Sequence, residues 1–567
     1  MTFDLLNFSI MKGTRMKMNR RSFIGQTGIG TAALGVVPAA SMTSCAASQT
    51  QESPQNDAPI LQIGDNIAVA ETAYGKVKGF ILRDVYTFLG IPYGDDMSGK
   101  NRFMPPQKPK PWDDVRPAVF YGNSAPQNIY NRSPESYSAF IDHWNYDEIS
   151  EDCLRLNVWS PGLDAKNRPV MVWLHGGGYR NGNGIEHDGY HGENFSKYGD
   201  AVFCSINHRL GPIGFSDFSS VGGEKYKHSG NAGMLDIIEA LRWINENIAN
   251  FGGDPGNVTV MGQSGGGSKV STVAAMPAAK GLVHKGVPLS GSSIESGDRA
   301  VSQKIGEYIL KEAGLKPSQI DKLQDMPWKN YLDLTDRAAK KYAEENPGAG
   351  RAGFRPVGDD IHIPSGRFFS NDSADKPNIP MLFCTTFNES SPSRTDASLE
   401  DITLEGIIEK LHGNYGEKTT GIVAAYSKAF PECKPVEIWS LISSNRTRVV
   451  QAANAKTGQS APVYMAWFGW QPPLFDNRMR AFHCVDICFW YNNTDLMLSH
   501  TGGEARPRAL SHKMADALLN FMRNGDPNGG ALPFWPAYSV ENGETMVLND
   551  ESSVQNDPDR EARRAIG

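Results

Sequence analysis

The sequence predicts an α/β fold: a doubly wound, mostly parallel central sheet with helical insertions forming a gorge over one edge. Three observations carry this. Short apolar runs recur at residues 170–175, 201–207, 258–261, 381–385 and 463–468, each with the length and composition of a buried strand. A helix-spaced segment separates two of them at 234–248, where Ile237, Leu241, Ile244 and Ile248 repeat along one face. Strands alternating with helices in this way imply parallel pairing. The composition agrees. At 567 residues, 40% hydrophobic and 21% charged, the chain resembles an ordinary globular protein, and its net charge of -7 argues against nucleic acid as a partner. It contains no zinc-finger, P-loop or dinucleotide fingerprint.

From the N-terminus, residues 1–45 read as an export signal and are set apart from the fold. Lys12, Arg15, Lys17, Arg20 and Arg21 make a basic start, within which Met16 and Met18 are alternative initiation sites. Arg20-Arg21-Ser22-Phe23-Ile24 resembles a twin-arginine signal and precedes a mildly apolar Gly/Ala-rich run. Met42-Thr43-Ser44-Cys45 resembles a bacterial lipobox with Met in the usual Leu position, which makes Cys45 the candidate lipidation site. The rival readings are an ordinary secretory signal and an incidental cysteine. Residues 46–60 form a polar tether, and 61–567 form the folded domain. The expectation is an exported protein, periplasmic, membrane-anchored or secreted, that meets a membrane only through an N-terminal lipid. The seven cysteines are scattered, and Cys204 and Cys384 fall in strand-like runs as buried thiols. Free thiols suit a twin-arginine substrate, which folds before it crosses the membrane.

Within the domain, residues 61–85 read as a meander with turns near Gly64-Asp65 and Tyr74-Gly75. Segments 301–315, 338–345 and 404–411 read as surface helices walling the gorge over the C-terminal sheet edge, where ligands bind in such sheets. Tyr179, Trp144, Trp467, Trp470, Phe489 and Trp490 are candidate gorge aromatics, with core packing as the alternative for each.

The chemistry centres on Gly262-Gln263-Ser264-Gly265-Gly266, a G-x-S-x-G placed between a strand and a small-residue helix over 268–276 that Pro277 stops. A serine on so sharp a turn is strained, and flanking glycines let strand and helix approach, so its hydroxyl is held out toward a substrate. Upstream, His175-Gly176-Gly177-Gly178 follows a strand, and the N–H groups of Gly177, Gly178 and Gly265 are candidate donors to an oxyanion. A base is expected downstream. His483, soon after the run at 463–468, is favoured by position over His284, His362, His412, His500 and His512. Glu389, just past the run at 381–385, is the favoured acid, with Asp360, Asp396 and Asp486 as rivals. His187-Asp188-x-x-His191-x-Glu193 lacks a standard zinc spacing and is read as structural.

With these residues laid out, the chain resembles the type-B carboxylesterases, the α/β-hydrolases that include the cholinesterases, over residues 61–538. The motifs are Phe88-Leu89-Gly90-Ile91-Pro92-Tyr93, Ser150-Glu151-Asp152-Cys153-Leu154-Arg155-Leu156-Asn157-Val158, Phe251-Gly252-Gly253-Asp254-Pro255-Gly256-Asn257-Val258-Thr259, Asn524-Gly525-Asp526-Pro527-Asn528 and Trp535-Pro536-Ala537-Tyr538. The resemblance implies that Ser264 is the nucleophile, His483 the base, Glu389 the acid, and Gly177, Gly178 and Gly265 the oxyanion hole. It places Asp486 as a structural carboxylate past the base. It implies an ester hydrolase that works through an acyl-enzyme on a small-molecule ester, with no metal or cofactor. Amide, carbamate or lactone cleavage by the same residues remains a rival, as does a non-catalytic binding protein. The chain departs from the family pattern at Gln263, where Glu is usual, at Gly265, where Ala is usual, and at Ser390, where Gly is frequent. Ala125 stands where the family's partner for Cys153 would be, so Cys153 is expected as a free thiol.

Overall fold

Twelve strands form one sheet in the order Leu61–Gln62, Phe80–Leu82, Val85–Pro92, Arg155–Ser160, Val202–Ile206, Arg168–Leu174, Gly253–Gln263, Lys285–Leu289, Met381–Thr386, Val463–Phe468, Glu544–Leu548 and Ser553–Asn556. The computed structural model describes residues 59–129, 148–349, 353–369 and 375–567. The export signal, Cys45, the tether to residue 58, and Trp144 lie outside the described residues. Pairing is parallel from Val202–Ile206 through to Glu544–Leu548 and antiparallel toward both ends of the order. Part of the meander leaves this sheet, and Val69–Thr72, Gly75–Lys78 and Arg116–Pro117 make a separate three-stranded one.

The central strands are buried on both faces because their apolar residues do not alternate with polar ones. Their side chains divide by parity. Val170, Val172, Leu174, Val258 and Val260 enter the core on one face, and Met171, Trp173 and Met261 enter that on the other. Each such side chain contributes roughly 1.5–3 kcal/mol on burial. The nucleophile strand sits between Arg168–Leu174 and Lys285–Leu289, with Met261 level with Trp173 and Val287, so its end cannot move without breaking two ladders.

The helices run longer than their most regular repeats. Asp298 caps Arg299–Glu312 by accepting from the N–H groups of Ala300 and Val301, which moves the start upstream of residue 301. Trp328–Glu345 begins ten residues before the expected 338, since Tyr331, Leu332 and Thr335 extend its buried stripe. The helix after Ser264 spans Gly265–Val273, starting at once after the serine. Trp467, Trp470, Phe489 and Trp490 are wholly inside the cores, whereas Tyr179 faces a cavity. His187 accepts from the N–H of Gly189 and stacks on Tyr190, while Glu193 pairs with Arg83. All six cysteines among the described residues are free thiols, and Cys153, Cys204, Cys384 and Cys488 are buried. No helix among the described residues is long and apolar enough to cross a membrane.

Candidate active site

Ser264 follows the last residue of its strand and precedes the first residue of its helix. Its φ of 58° and ψ of -121° lie in a region that residues with a side chain rarely occupy. Its N–H donates to the Leu289 carbonyl at 2.8 Å, and its carbonyl accepts from the N–H of Ser268 at 3.2 Å. Sheet and helix thus fix the backbone from both sides. Gln263 and Gly265 are buried while Ser264 is part-exposed, which leaves the hydroxyl as the group presented outward.

The turn after Arg168–Leu174 approaches from one side. Gly177 and Gly178 have φ of 76° and 66°, a conformation that favours glycine, and the Gly177 carbonyl accepts from the N–H groups of Arg180 and Asn181. The N–H groups of Gly177 and Gly178 donate to no group among the described residues, and the N–H of Gly265, at the first helical position, has no partner within its helix. A Cβ on Gly265 would stand 2.2 Å from the Gly178 carbonyl oxygen. Alanine, the residue of the related pattern, would fit here only if the Gly178 backbone shifted.

Groups that the sequence did not single out grip this turn from behind. Lys269, wholly buried, donates through Nζ to the His175 carbonyl at 2.9 Å. Burial pulls its amine down to about 7, against the pull of the Glu186 carboxylate, which burial in turn pushes up to about 7. The His175 ring stacks on His208 with centroids 5.0 Å apart, and burial holds both imidazoles well below their ordinary value and so neutral. Lys269 is the kind of residue that sequence reasoning misses, because a lysine five positions past a serine reads as helix surface.

The other side carries the favoured acid and base. Glu389 follows Met381–Thr386, and its Oε1 accepts from the N–H of Thr386 at 3.0 Å. The N–H of Asn388 donates to the Ala481 carbonyl at 3.0 Å, which ties the acid's loop to that of His483. Nδ1 of His483 is hydrogen-bonded to Glu389 Oε2. Nε2 of His483 faces Nε2 of Gln263 at 3.0 Å, and the same amide nitrogen lies 3.3 Å from Nδ1. Ser264 Oγ shares no hydrogen bond with His483. Burial pulls the imidazole down, the neighbouring Cys484 and the Glu389 carboxylate push it up, and the net displacement is well above the ordinary value. The rivals stand elsewhere. Asp360 binds Ser365, Asp396 caps a short turn at Ser398, and Asp486 is buried beside Trp490 with its carboxyl pushed up to about 7 by burial. His284 accepts from Val258, and His362 pairs with His228. A cavity of about 510 Å3 opens beside Glu389, His483 and Cys484.

Comparison with known proteins identifies the family of the chain. Residues 66–565 match the model of the carboxylesterase family. The chain is 33% identical over 507 residues to the para-nitrobenzyl esterase of Bacillus subtilis (strain 168), covering 88% of this chain and 98% of that protein. It is 28% identical to the phenmedipham hydrolase of Pseudarthrobacter oxydans, covering 86% and 96%. Among solved structures, an esterase of Clostridium hathewayi that hydrolyses aliphatic aromatic polyesters superposes with a TM-score of 0.77 at 31% identity, covering 88% of this chain and 98% of that one. A solved PNB esterase gives 0.71 at 31%, covering 88% and 99%. The large, centrally parallel sheet and a family match across nearly all the described residues lead to one conclusion: this chain belongs to the carboxylesterase family of α/β-hydrolases and is a carboxylic-ester hydrolase.

Proposed function

We propose that the enzyme cleaves small-molecule esters in two acyl-transfer steps with Ser264 as nucleophile, His483 as general base and Glu389 as the orienting acid. The observation that carries this reading is the hydrogen bond from Nδ1 of His483 to the Glu389 carboxylate, beside a strained serine and a turn with undonated N–H groups. Glu389 fixes the tautomer in which Nδ1 carries the proton, leaving the Nε2 lone pair for the serine. The Gln263 amide now occupies that lone pair, so the imidazole turns from Gln263 to Ser264 as substrate binds. Nε2 then takes the Oγ proton as Oγ bonds to the ester carbon, and the carbonyl oxygen becomes an anion held by the N–H groups of Gly177, Gly178 and Gly265. The C–O bond to the alcohol breaks and His483 returns the proton to that alcohol. Water, deprotonated by His483, then attacks the acyl-enzyme, and Ser264 leaves with the proton. Under the same proposal residues 1–45 export the enzyme and Cys45 anchors it through a lipid.

A fluorophosphonate probe tests the assignment. The expected adduct is on Ser264, with labelling lost in Ser264→Ala and p-nitrophenyl butyrate no longer hydrolysed. A label on another serine, or hydrolysis surviving in the variant, overturns it.

A further inference from the structure

Gly178 also walls a second space, a cavity of about 560 Å3, large enough for a substrate group. Its lining differs from that of an apolar pocket. The nucleophile helix contributes Ser268 and Thr272, and the segment after Lys285–Leu289 contributes Ser292, Ser293 and Ser296. The Tyr179 hydroxyl is turned to the side chains of Thr272 and Ser293. Arg355 and Arg448 supply two guanidinium groups against the single carboxylate of Glu295, and none of the three makes an ion pair or hydrogen bond with another described residue. The space is therefore cationic on balance. Ser292 is 2% exposed and its Oγ has no hydrogen-bond partner among the described residues, although a hydroxyl removed from water normally finds one.

An alkyl group seated here would leave that hydroxyl unpaired and strip water from two cations without compensation. An anion meets both needs, since guanidinium groups bind carboxylates through paired N–H donors and the serine adds a third. We propose that this cavity is an anion-recognising subsite, in which Arg355, Arg448 and Ser292 bind a carboxylate carried by the ester substrate. The inference deepens the ester-hydrolase reading of the Ser264 site and rests on it. Gly178, common to the cavity wall and to the proposed oxyanion donors, joins the two.

The carboxylate can belong to the acyl part or to the alcohol part, and the experiment separates these. kcat/KM is measured for the wild type and for Arg355→Gln/Arg448→Gln on p-nitrophenyl hexanoate, on the mono-p-nitrophenyl ester of adipic acid, and on 4-carboxyphenyl hexanoate with phenyl hexanoate as its neutral match. The expected result is a preference of about tenfold or more for one anionic ester over its neutral match at low salt. That preference falls as salt is raised and collapses toward one in the double variant. Adipate inhibits the wild type competitively and the double variant more weakly, a binding readout that does not depend on turnover. Ser292→Ala reduces the preference by a smaller factor. Wild type that cleaves the neutral esters with no anionic preference, or a preference that survives the double substitution, overturns this inference while leaving the ester-hydrolase reading intact. Failure to cleave any of the four esters overturns both.

Discussion

The turn at His175–Gly178 is held from behind by Lys269, and its His175 ring stacks on His208 as a pair of neutral imidazoles, all three side chains wholly buried. The imidazole of His483, on the other side of Ser264, has a side chain 31% exposed and one ring nitrogen engaged by an amide that is not part of the proposed triad. One half of the site is held before substrate arrives, and the other has a move left to make. Donors aimed at an oxyanion act best when they need no rearrangement, so rigidity belongs on their side. A base must accept a proton and give it back, which suits a ring with a choice of partners. Two kinds of variant follow. Changes behind the turn should alter kcat without moving the pH profile, and changes around His483 should move the profile.

The largest effect is expected on the base side. His483→Ala should lower kcat/KM for p-nitrophenyl butyrate by about 10³-fold or more and remove the acidic limb of its pH profile. Gly265→Ala, which restores the residue usual in related enzymes, should cost about 100-fold in kcat, because its Cβ would overlap the Gly178 carbonyl and displace a donor. Its acidic limb should stay in place, and a shifted limb would break the division between the halves. Lys269→Met should lower kcat by about tenfold with little change in KM, through loss of the bond to the His175 carbonyl. It also leaves Glu186 without its cation, so Tm should drop and recover in Lys269→Met/Glu186→Gln, as differential scanning fluorimetry would show.

Gln263→Glu sharpens the comparison. The folded-state His483 imidazole is already raised, so wild-type kcat/KM should fall as pH drops through a value above 6.5. A carboxylate at 263 favours the protonated ring further and should push that limb to still higher pH, with the plateau changed severalfold at most. An unmoved limb would reduce Gln263 to a packing role. The smallest effect concerns Asp486, whose carboxyl titrates near 7 when folded against an ordinary value of 3.8. A raised carboxyl binds its proton more tightly in the folded state, so its contribution is complete below 3.8 and is lost as pH rises through 7. Asp486→Asn should therefore gain Tm relative to wild type at pH 8 and lose most of that gain at pH 5.

The strands and the elbow were legible because their determinants are local. An apolar run of the right length and a glycine-flanked serine declare themselves within ten residues. The parallel centre of the sheet followed from the strand–helix alternation and the antiparallel strands at its N-terminal end from the meander, while the pairing of Arg155–Ser160 with Val85–Pro92 and Val202–Ile206 joins segments far apart in the chain that no local pattern links. The relation of Glu389 to His483 was reachable only through order along the chain and the family likeness, since 94 residues separate them. Lys269 could not be read, because its environment is made by His175 and Glu186 from earlier in the sequence. The aromatic residues misled for a related reason. Trp467 and Trp470 look alike whether they face a gorge or a core, and only packing against both faces of the sheet decides.

The free thiols of the described domain bear on how the protein can be handled. Since none of its six cysteines is cross-linked, the unfolded chain there is not shortened by any covalent loop, and the native state draws no entropy from one. Dithiothreitol should leave the melting curve where it is, and refolding from denaturant should need neither an oxidant nor an isomerase. A reducing cytosol should therefore be no obstacle to folding of the domain, and activity recovered from such a preparation with and without dithiothreitol should be the same.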